Sequence, residues 1–174
     1  ERVIVSIPTD SYESSVRKIS TSETHTLFLD EQNNAWAVGY NNYGQLADDT
    51  LKDSLLTKRV SRGDASDLHS SWGKTFITKV DGSLWAVGYN NAGQLGISNA
   101  KTFQHQDGIK YARHTNVPSL TKIIGGEGSG IVLSVKSSKD HTLFLMFEDN
   151  DGIKRKNLYC MGTNRYGQLP VGNY

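Results

Sequence analysis

The phrase WAVGYNNYGQL at residues 36–46 returns as WAVGYNNAGQL at residues 85–95, with Tyr43 and Ala92 the one difference. A third, looser copy, LYCMGTNRYGQLP, occupies residues 158–170. It keeps Gly162, Asn164, Gly167, Gln168 and Leu169 in step with Gly39, Asn41, Gly44, Gln45 and Leu46. Repetition on this scale restricts the chain to folds in which one supersecondary unit recurs and buries its apolar face against the next. The copies are unevenly spaced, the third lying further from the second than the second from the first, so an insertion separates them.

Each unit reads as a β-hairpin. HTLFLDEQNNAWAVG (25–39) aligns without a gap on KTFITKVDGSLWAVG (74–88). In the second copy TFITKV and SLWAVGY, rich in β-branched and aromatic residues, are joined by Asp81-Gly82, a strong hairpin-turn signal. Glu31-Gln32-Asn33-Asn34 takes that place in the first copy. HTLFL recurs at residues 141–145. Upstream of each hairpin stands a further apolar segment, SVRKIS, LLTKRV and LTKIIGG, each suited to an additional strand. Residues 50–60 are the best helix candidate and lack a 3.6-residue period. Short strands separated by glycine turns at this spacing describe an all-β protein of radial or stacked repeats.

The pattern H-T-L-x-L, a turn, then [WY]-x-x-G-x-N-x-x-G-Q-L, resembles the repeat of the regulator of chromosome condensation family. That resemblance implies a seven-bladed β-propeller with about fifty residues per blade. WD-type repeats need a Trp-Asp dipeptide, which is missing, and kelch repeats need a Gly-Gly pair before each hairpin, which occurs only at Gly125-Gly126. A full ring at this period needs roughly 350 residues, against 174 here. The expectation is therefore a single partial propeller domain over 1–174, an incomplete ring of about three four-stranded blades. Its units fall near 9–56, 57–117 and 118–174, with insertions at 97–117 and 146–157. The sequence opens on Glu1, and Val3-Ile4-Val5 reads as a mid-domain strand, so an excerpt of a longer protein is expected. Its remaining blades then come from the rest of the polypeptide or from another chain.

In the repeated phrase, glycines five residues apart fit positive φ or close backbone approach. Asn41, Asn90 and Asn164 suit left-handed positions or local hydrogen bonds at a turn. Gln45, Gln94 and Gln168 are placed to bridge blades, and Leu46, Leu95 and Leu169 to fill the space between them. Trp36, Trp85 and Tyr159 suit packing between blades. The phrase is architecture rather than an active site.

Chemistry finds little footing. The net charge of +1 gives no global field for nucleic acid or an anionic membrane. No apolar run approaches the roughly 18 residues of a membrane span. Cys160 is the single cysteine, which excludes an intrachain disulfide and a multi-cysteine metal site and favours an intracellular setting, cytoplasmic or nuclear. His25 and His141 match each other in HTLFL, but Lys74 takes that position in the second copy, so a buried or half-buried structural histidine is expected rather than a ligand. No histidine spacing fits zinc. GGEGSG at 125–130 lacks the Lys-Ser/Thr of a phosphate loop and the glycines of a nucleophile elbow, and reads as a strand-to-strand turn. No catalytic residue, metal or cofactor is expected. Within the family, plant ultraviolet-B photoreceptors carry G-W-R-H-T in successive blades. Here Trp72 stands alone in SSWGKT, with Glu23 at the matching place of the first unit, so light absorption is not expected.

Function is then expected in the departures from the repeat. The largest, residues 97–117, interleaves Lys101, Lys110 and Arg113 with Phe103, His105, Tyr111 and His114. Residues 146–157 form a long hairpin tip carrying Lys154, Arg155 and Lys156 beside Glu148, Asp149 and Asp151; mixed charge there favours a solvated tip over direct nucleic-acid contact. The leading expectation is a non-enzymatic scaffold that binds protein partners. The alternative, implied by the family's founder, is nucleotide exchange on a Ran-like small GTPase.

Overall fold

The computed structural model describes residues 15–98, 101–104, 110–113 and 115–171; Val3-Ile4-Val5, His105 and His114 lie outside them. Among the described residues there is no helix. The first sheet is a four-stranded antiparallel meander of β1 (Val16–Thr21), β2 (His25–Asp30), β3 (Ala35–Gly39) and β4 (Ser54–Ser61). Next come β5 (Ala65–Ser71), β6 (Lys74–Lys79) and β7 (Leu84–Gly88), then a separate hairpin of β8 (Lys101–Gln104) and β9 (Lys110–Arg113). The chain returns through β10 (Val117–Ile124), which pairs with β7 and completes the second sheet in the order β10-β7-β6-β5. The third sheet has three strands, β11 (Ile131–Ser137), β12 (His141–Asn150) and β13 (Ile153–Gly162). Strand β5 lies against both β1 and β11, so the first strands of the three sheets share one side, as in the blades of a propeller.

LLTKRV and LTKII do form strands, within β4 and β10, but each pairs with the hairpin before it. The first strands of the second and third sheets are β5 and β11. Strand β5 escapes an apolar-pattern search because hydrogen bonds satisfy its buried serines: Ser70 N–H donates to Ser20 Oγ (2.9 Å) and Ser71 Oγ–H to the Ser137 carbonyl (3.0 Å). Residues 54–60, inside the helix candidate, are strand.

Two cores fill the spaces between sheets. Leu27, Leu29, Ala35, Ala37 and Leu46 of the first unit meet Ala65, Leu68 and Ile77 of the second. Phe76, Leu84, Ala86 and Leu95 of the second meet Val132, Val135, Phe144 and Met146 of the third. Each core is thus built from the next-facing side of one sheet, the previous-facing side of its neighbour, and the leucine of the G-Q-L triplet. Trp36 and Trp85 stay within their own sheets. Trp36 Nε1–H donates to Asp30 Oδ2 (2.9 Å) under the Arg59 guanidinium, and Trp85 Nε1–H donates to Ser83 Oγ (2.8 Å) beneath Lys79.

The repeated phrase closes the same loop three times. The side-chain oxygens of Asn41, Asn90 and Asn164 accept from the N–H of Leu46, Leu95 and Leu169 at 2.9, 2.9 and 2.8 Å. None of the three asparagines has positive φ, so local hydrogen bonding explains their placement. Gln45, Gln94 and Gln168 accept through Oε1 from Tyr43, Ala92 and Tyr166 N–H within the same loop. A side-chain bridge to the following sheet is present at Gln94, whose Nε2 donates to the Lys139 carbonyl (3.2 Å).

The first residue of each second strand, His25, Lys74 or His141, occupies one structural position. His25 reaches Thr75 in the second sheet, Nε2 to Oγ1 at 2.9 Å. Lys74 is wholly buried, and its ammonium donates to the Ser138 and Lys139 carbonyls of the third sheet at 2.6 and 2.9 Å. Burial pushes the Lys74 amine down to about 8, against the opposing pull of Asp140 and Glu23. Between pH 8 and 10 the unfolded chain holds this proton more tightly than the folded one, so stability rises with pH across that window. The expected gain is about 2 kcal/mol. Urea midpoints read it, and Lys74→Met should flatten the rise; an equally steep rise in that variant would refute the assignment.

Candidate partner-binding surfaces

In each meander the first turn and the connection after the third strand leave the sheet at one end. That end therefore gathers the β1–β2, β5–β6 and β11–β12 turns, the phrase loops and the connection that carries β8 and β9. It also carries a cluster of rings. Tyr43 lies 5.3 Å from Trp72 and 5.1 Å from Tyr89 between ring centroids, Trp72 lies 4.8 Å from Tyr89 edge to face, and Tyr40 meets Tyr43 at 5.9 Å. The Lys139 ammonium caps Trp72 at 4.7 Å. All four rings are half-buried and Lys139 is exposed. Partial burial raises the Tyr43 hydroxyl, with Tyr40 and Tyr89 adding to the shift.

Three units build this cluster. Tyr40 and Tyr43 come from the first phrase, Trp72 from the β5–β6 turn, Tyr89 from the second phrase and Lys139 from the β11–β12 turn. Gly73 makes room for it, since a side chain there would run into the Tyr43 ring at 2.7 Å. The arrangement offers contact area at small entropic cost with polar edges for orientation, the composition of interface hot spots. In the sequence Trp72 stands out only as a lone counterpart of the photoreceptor tryptophans, and none of the four rings was a binding candidate. The available signal was the one mismatch in the repeat, Tyr43 against Ala92: an aromatic ring where the framework is satisfied by a methyl group.

The sequence-derived candidates divide into two groups. Lys101 and Phe103 lie on β8, and Lys110, Tyr111 and Arg113 on β9, in a register that pairs Lys101 with Arg113 and Phe103 with Tyr111. Lys154, Arg155 and Lys156 begin β13 opposite Asp149, Glu148 and Phe147. Met146 pairs with Asn157, so residues 146–157 are the outer part of one long hairpin. Glu148 is engaged there by Asn157 and by the Tyr159 hydroxyl at 2.9 Å. Cross-strand pairing of opposite charges leaves a polar tip of balanced sign. It is separate from the ring cluster, because it leaves the third sheet at the opposite end.

GGEGSG is the turn between β10 and β11, closed by a bridge between Gly126 and Gly130. With Asp81, Phe147 and Glu148 it borders a cavity of about 290 Å³. A smaller cleft of about 170 Å³ runs along the first strands between Lys18, Asp67, His69 and Lys136, with Lys18 and Asp67 ion-paired. No group of three or more His, Cys, Asp or Glu side chains among the described residues is arranged to hold a metal ion. No helix there is long and apolar enough to cross a membrane.

Two family models, both described as the regulator of chromosome condensation repeat, match residues 16–45 and 81–145, together more than half of the sequence. The chain belongs to that family. Its fold is that of the family's propeller, in an incomplete ring. Prp20p from Saccharomyces cerevisiae, described with its binding to Gsp1p and histones, is 24% identical with a TM-score of 0.63 over 90% of this chain and 32% of its own. Yeast RCC1 (Prp20) bound to Kap60 gives 22%, 0.64, 90% and 31%. Human WBSCR16 gives 21%, 0.71, 97% and 39%. The chain therefore spans about a third of the length of these structures. Among curated proteins no sequence matches it.

Proposed function

We propose that this family member is a non-catalytic scaffold that binds a protein partner inside the cell, through the end of the sheets bearing the ring cluster and the β8–β9 insertion. The observation that carries this reading is the cluster of Tyr40, Tyr43, Trp72 and Tyr89 beside Lys139, assembled from three units, with Tyr43 standing where the second copy has Ala92. The basic insertion leaves from the same end and supplies an orienting field for an acidic partner surface.

The reading predicts that Trp72→Ala lowers recovery of a co-purifying protein tenfold or more from cells expressing the tagged chain. Replacing residues 101–113 by a Gly/Ser linker should weaken recovery further. Unchanged recovery in both variants would remove this surface from consideration. A second reading, nucleotide exchange on a Ran-like GTPase, draws support from the likeness to Prp20p, whose description includes binding to Gsp1p. Release of a fluorescent nucleotide from small GTPases no faster than the spontaneous rate would reject it.

A further inference from the structure

The ring cluster differs from the other large aromatic residues of the chain in what its polar atoms do. The indole N–H of Trp36 donates to Asp30 and that of Trp85 to Ser83, each inside its own sheet. Trp72 Nε1–H has no hydrogen-bond partner among the described residues. It is not one of their buried unpaired atoms either, so it stands at the surface as a spare donor. The Tyr43 and Tyr89 hydroxyls are in the same state. Tyr40 Oη accepts from Asn42 Nδ2–H at 2.8 Å, which leaves its own proton to give away. Lys139 adds an exposed ammonium. The rim is therefore rich in donors, and two of them, the indole and the ammonium, accept nothing.

Ring packing sets the shape of the surface. Tyr43 stands at 65° to Tyr40 and 62° to Tyr89, and Trp72 at 77° to Tyr89. Rings crossed in this way make ridges and notches rather than a flat plate. The side chains that build the cluster include no carboxylate, and all of them come from loops and turns. The cluster thus offers no free strand edge for a partner strand to extend.

A surface of this kind suits a ligand that brings acceptors, few donors and compact apolar rings. A polyproline II segment does so: each proline has a carbonyl and no N–H, and the extended helix is formed before binding. An ordinary peptide brings as many N–H groups as carbonyls, and only the tyrosine hydroxyls would accept from them. Single-stranded nucleic acid also uses aromatic rings, but it needs open ring faces and a groove of cations along its backbone. Here Lys139 lies over Trp72, the tyrosines meet their neighbours edge to face, and the cluster holds one cation.

We propose that the ring cluster binds a proline-rich extended segment of the partner protein. Its prolines seat among Tyr43, Trp72 and Tyr89, and its carbonyls accept from Trp72 Nε1–H and the tyrosine hydroxyls. An acidic residue flanking the prolines meets Lys139. The inference rests on the scaffold reading above and names the element of the partner that is recognised. Lys139 is exposed, so moving its ammonium from Trp72 to a ligand carboxylate gives up only a solvent-screened contact.

Fluorescence anisotropy of the chain with four labelled probes tests this: decaproline, decaproline followed by two aspartates, a Gly/Ser peptide of equal length, and oligothymidylate. Both proline peptides should bind with a Kd on the order of 10–100 μM, and the other two probes roughly tenfold more weakly or worse. Trp72→Ala should weaken decaproline binding about tenfold or more. Trp72→Phe, which keeps a ring and loses the N–H, should still weaken it roughly fivefold. Lys139→Gln should erase the advantage of the aspartate-tailed peptide and leave plain decaproline unchanged. Equal binding of decaproline and the Gly/Ser peptide overturns the proposal, as does undiminished binding by Trp72→Ala. Tighter binding of oligothymidylate overturns it in favour of nucleic acid. If decaproline fails to bind while Trp72→Ala still loses the co-purifying protein, this inference falls and the scaffold reading stands. If recovery also survives both changes described above, the surface falls with it.

Discussion

Gly88→Ala is expected to cost the chain about 4 kcal/mol or more, enough to leave much of it unfolded at room temperature. Gly88 has φ +111°, a conformation side chains rarely adopt, and a Cβ there would collide with the Gly73 carbonyl oxygen. That oxygen has no room to retreat, because it accepts from Tyr89 N–H at 2.9 Å and so fixes the junction between the β5–β6 turn and the end of β7. Gly39 and Gly162 repeat the arrangement against the Thr24 and Asp140 carbonyls. Gly128 is the control: its φ is also positive, but no atom lies within 4 Å of its would-be Cβ. Gly128→Ala should cost only about 1 kcal/mol. Guanidinium denaturation of both variants separates close approach from backbone conformation. A Gly88→Ala loss no larger than that of Gly128→Ala would refute the close-approach account.

Acidification from pH 6.5 to 4 should remove on the order of 3 kcal/mol of stability. Burial drives the His25 imidazole down to about 4, the Lys74 charge lowers it further, and a backbone hydrogen bond only partly offsets them. Thr75 donates its hydroxyl proton to the Gln45 carbonyl, so it accepts from His25 Nε2–H. That leaves Nδ1 to accept from Ser22 or Thr24, at 3.0 and 3.1 Å. A second proton would have to displace one of those donors inside the joint between the first two sheets. The unfolded chain takes it up near 6.5 and the folded chain only near 4, so stability falls with pH across that window. His69, also lowered by burial, acts in the same direction. His25→Gln should remove most of the slope in urea midpoints between pH 4 and 6.5, and an undiminished slope would show that other groups carry it.

The repeat, the hairpin turn at Asp81-Gly82, the glycine positions and the all-β class were legible because each follows from local backbone needs. A structural rather than metal-binding role for His25 was legible too, because the lysine that replaces it in the second copy shows that the position does not demand imidazole. Strand pairing was less so. LLTKRV carries enough apolar character to be recognised as a strand, but whether it joins the hairpin before or after it depends on long-range packing. Strand β5 went unseen because Ser70 and Ser71 are buried through hydrogen bonds to neighbouring sheets rather than through apolar side chains. The ring cluster was hidden for a related reason. Tyr43, Trp72 and Tyr89 are scattered along the sequence, and only the meeting of two sheets brings them together.

The offset between phrase and sheet bears on how such genes can be shuffled. Strand β4 ends at Ser61 in one sheet, and β5 begins at Ala65 in the next. A recombination break placed just after a G-Q-L triplet would sever a sheet from its own outer strand. The transferable module runs instead from the start of one β5-like strand to the end of the next β10-like strand. A crossover there keeps every strand ladder inside one parent and leaves side-chain contacts and single backbone hydrogen bonds, such as Ala65 N–H to the Asn33 carbonyl and Val132 N–H to the Gly82 carbonyl, to be matched between parents.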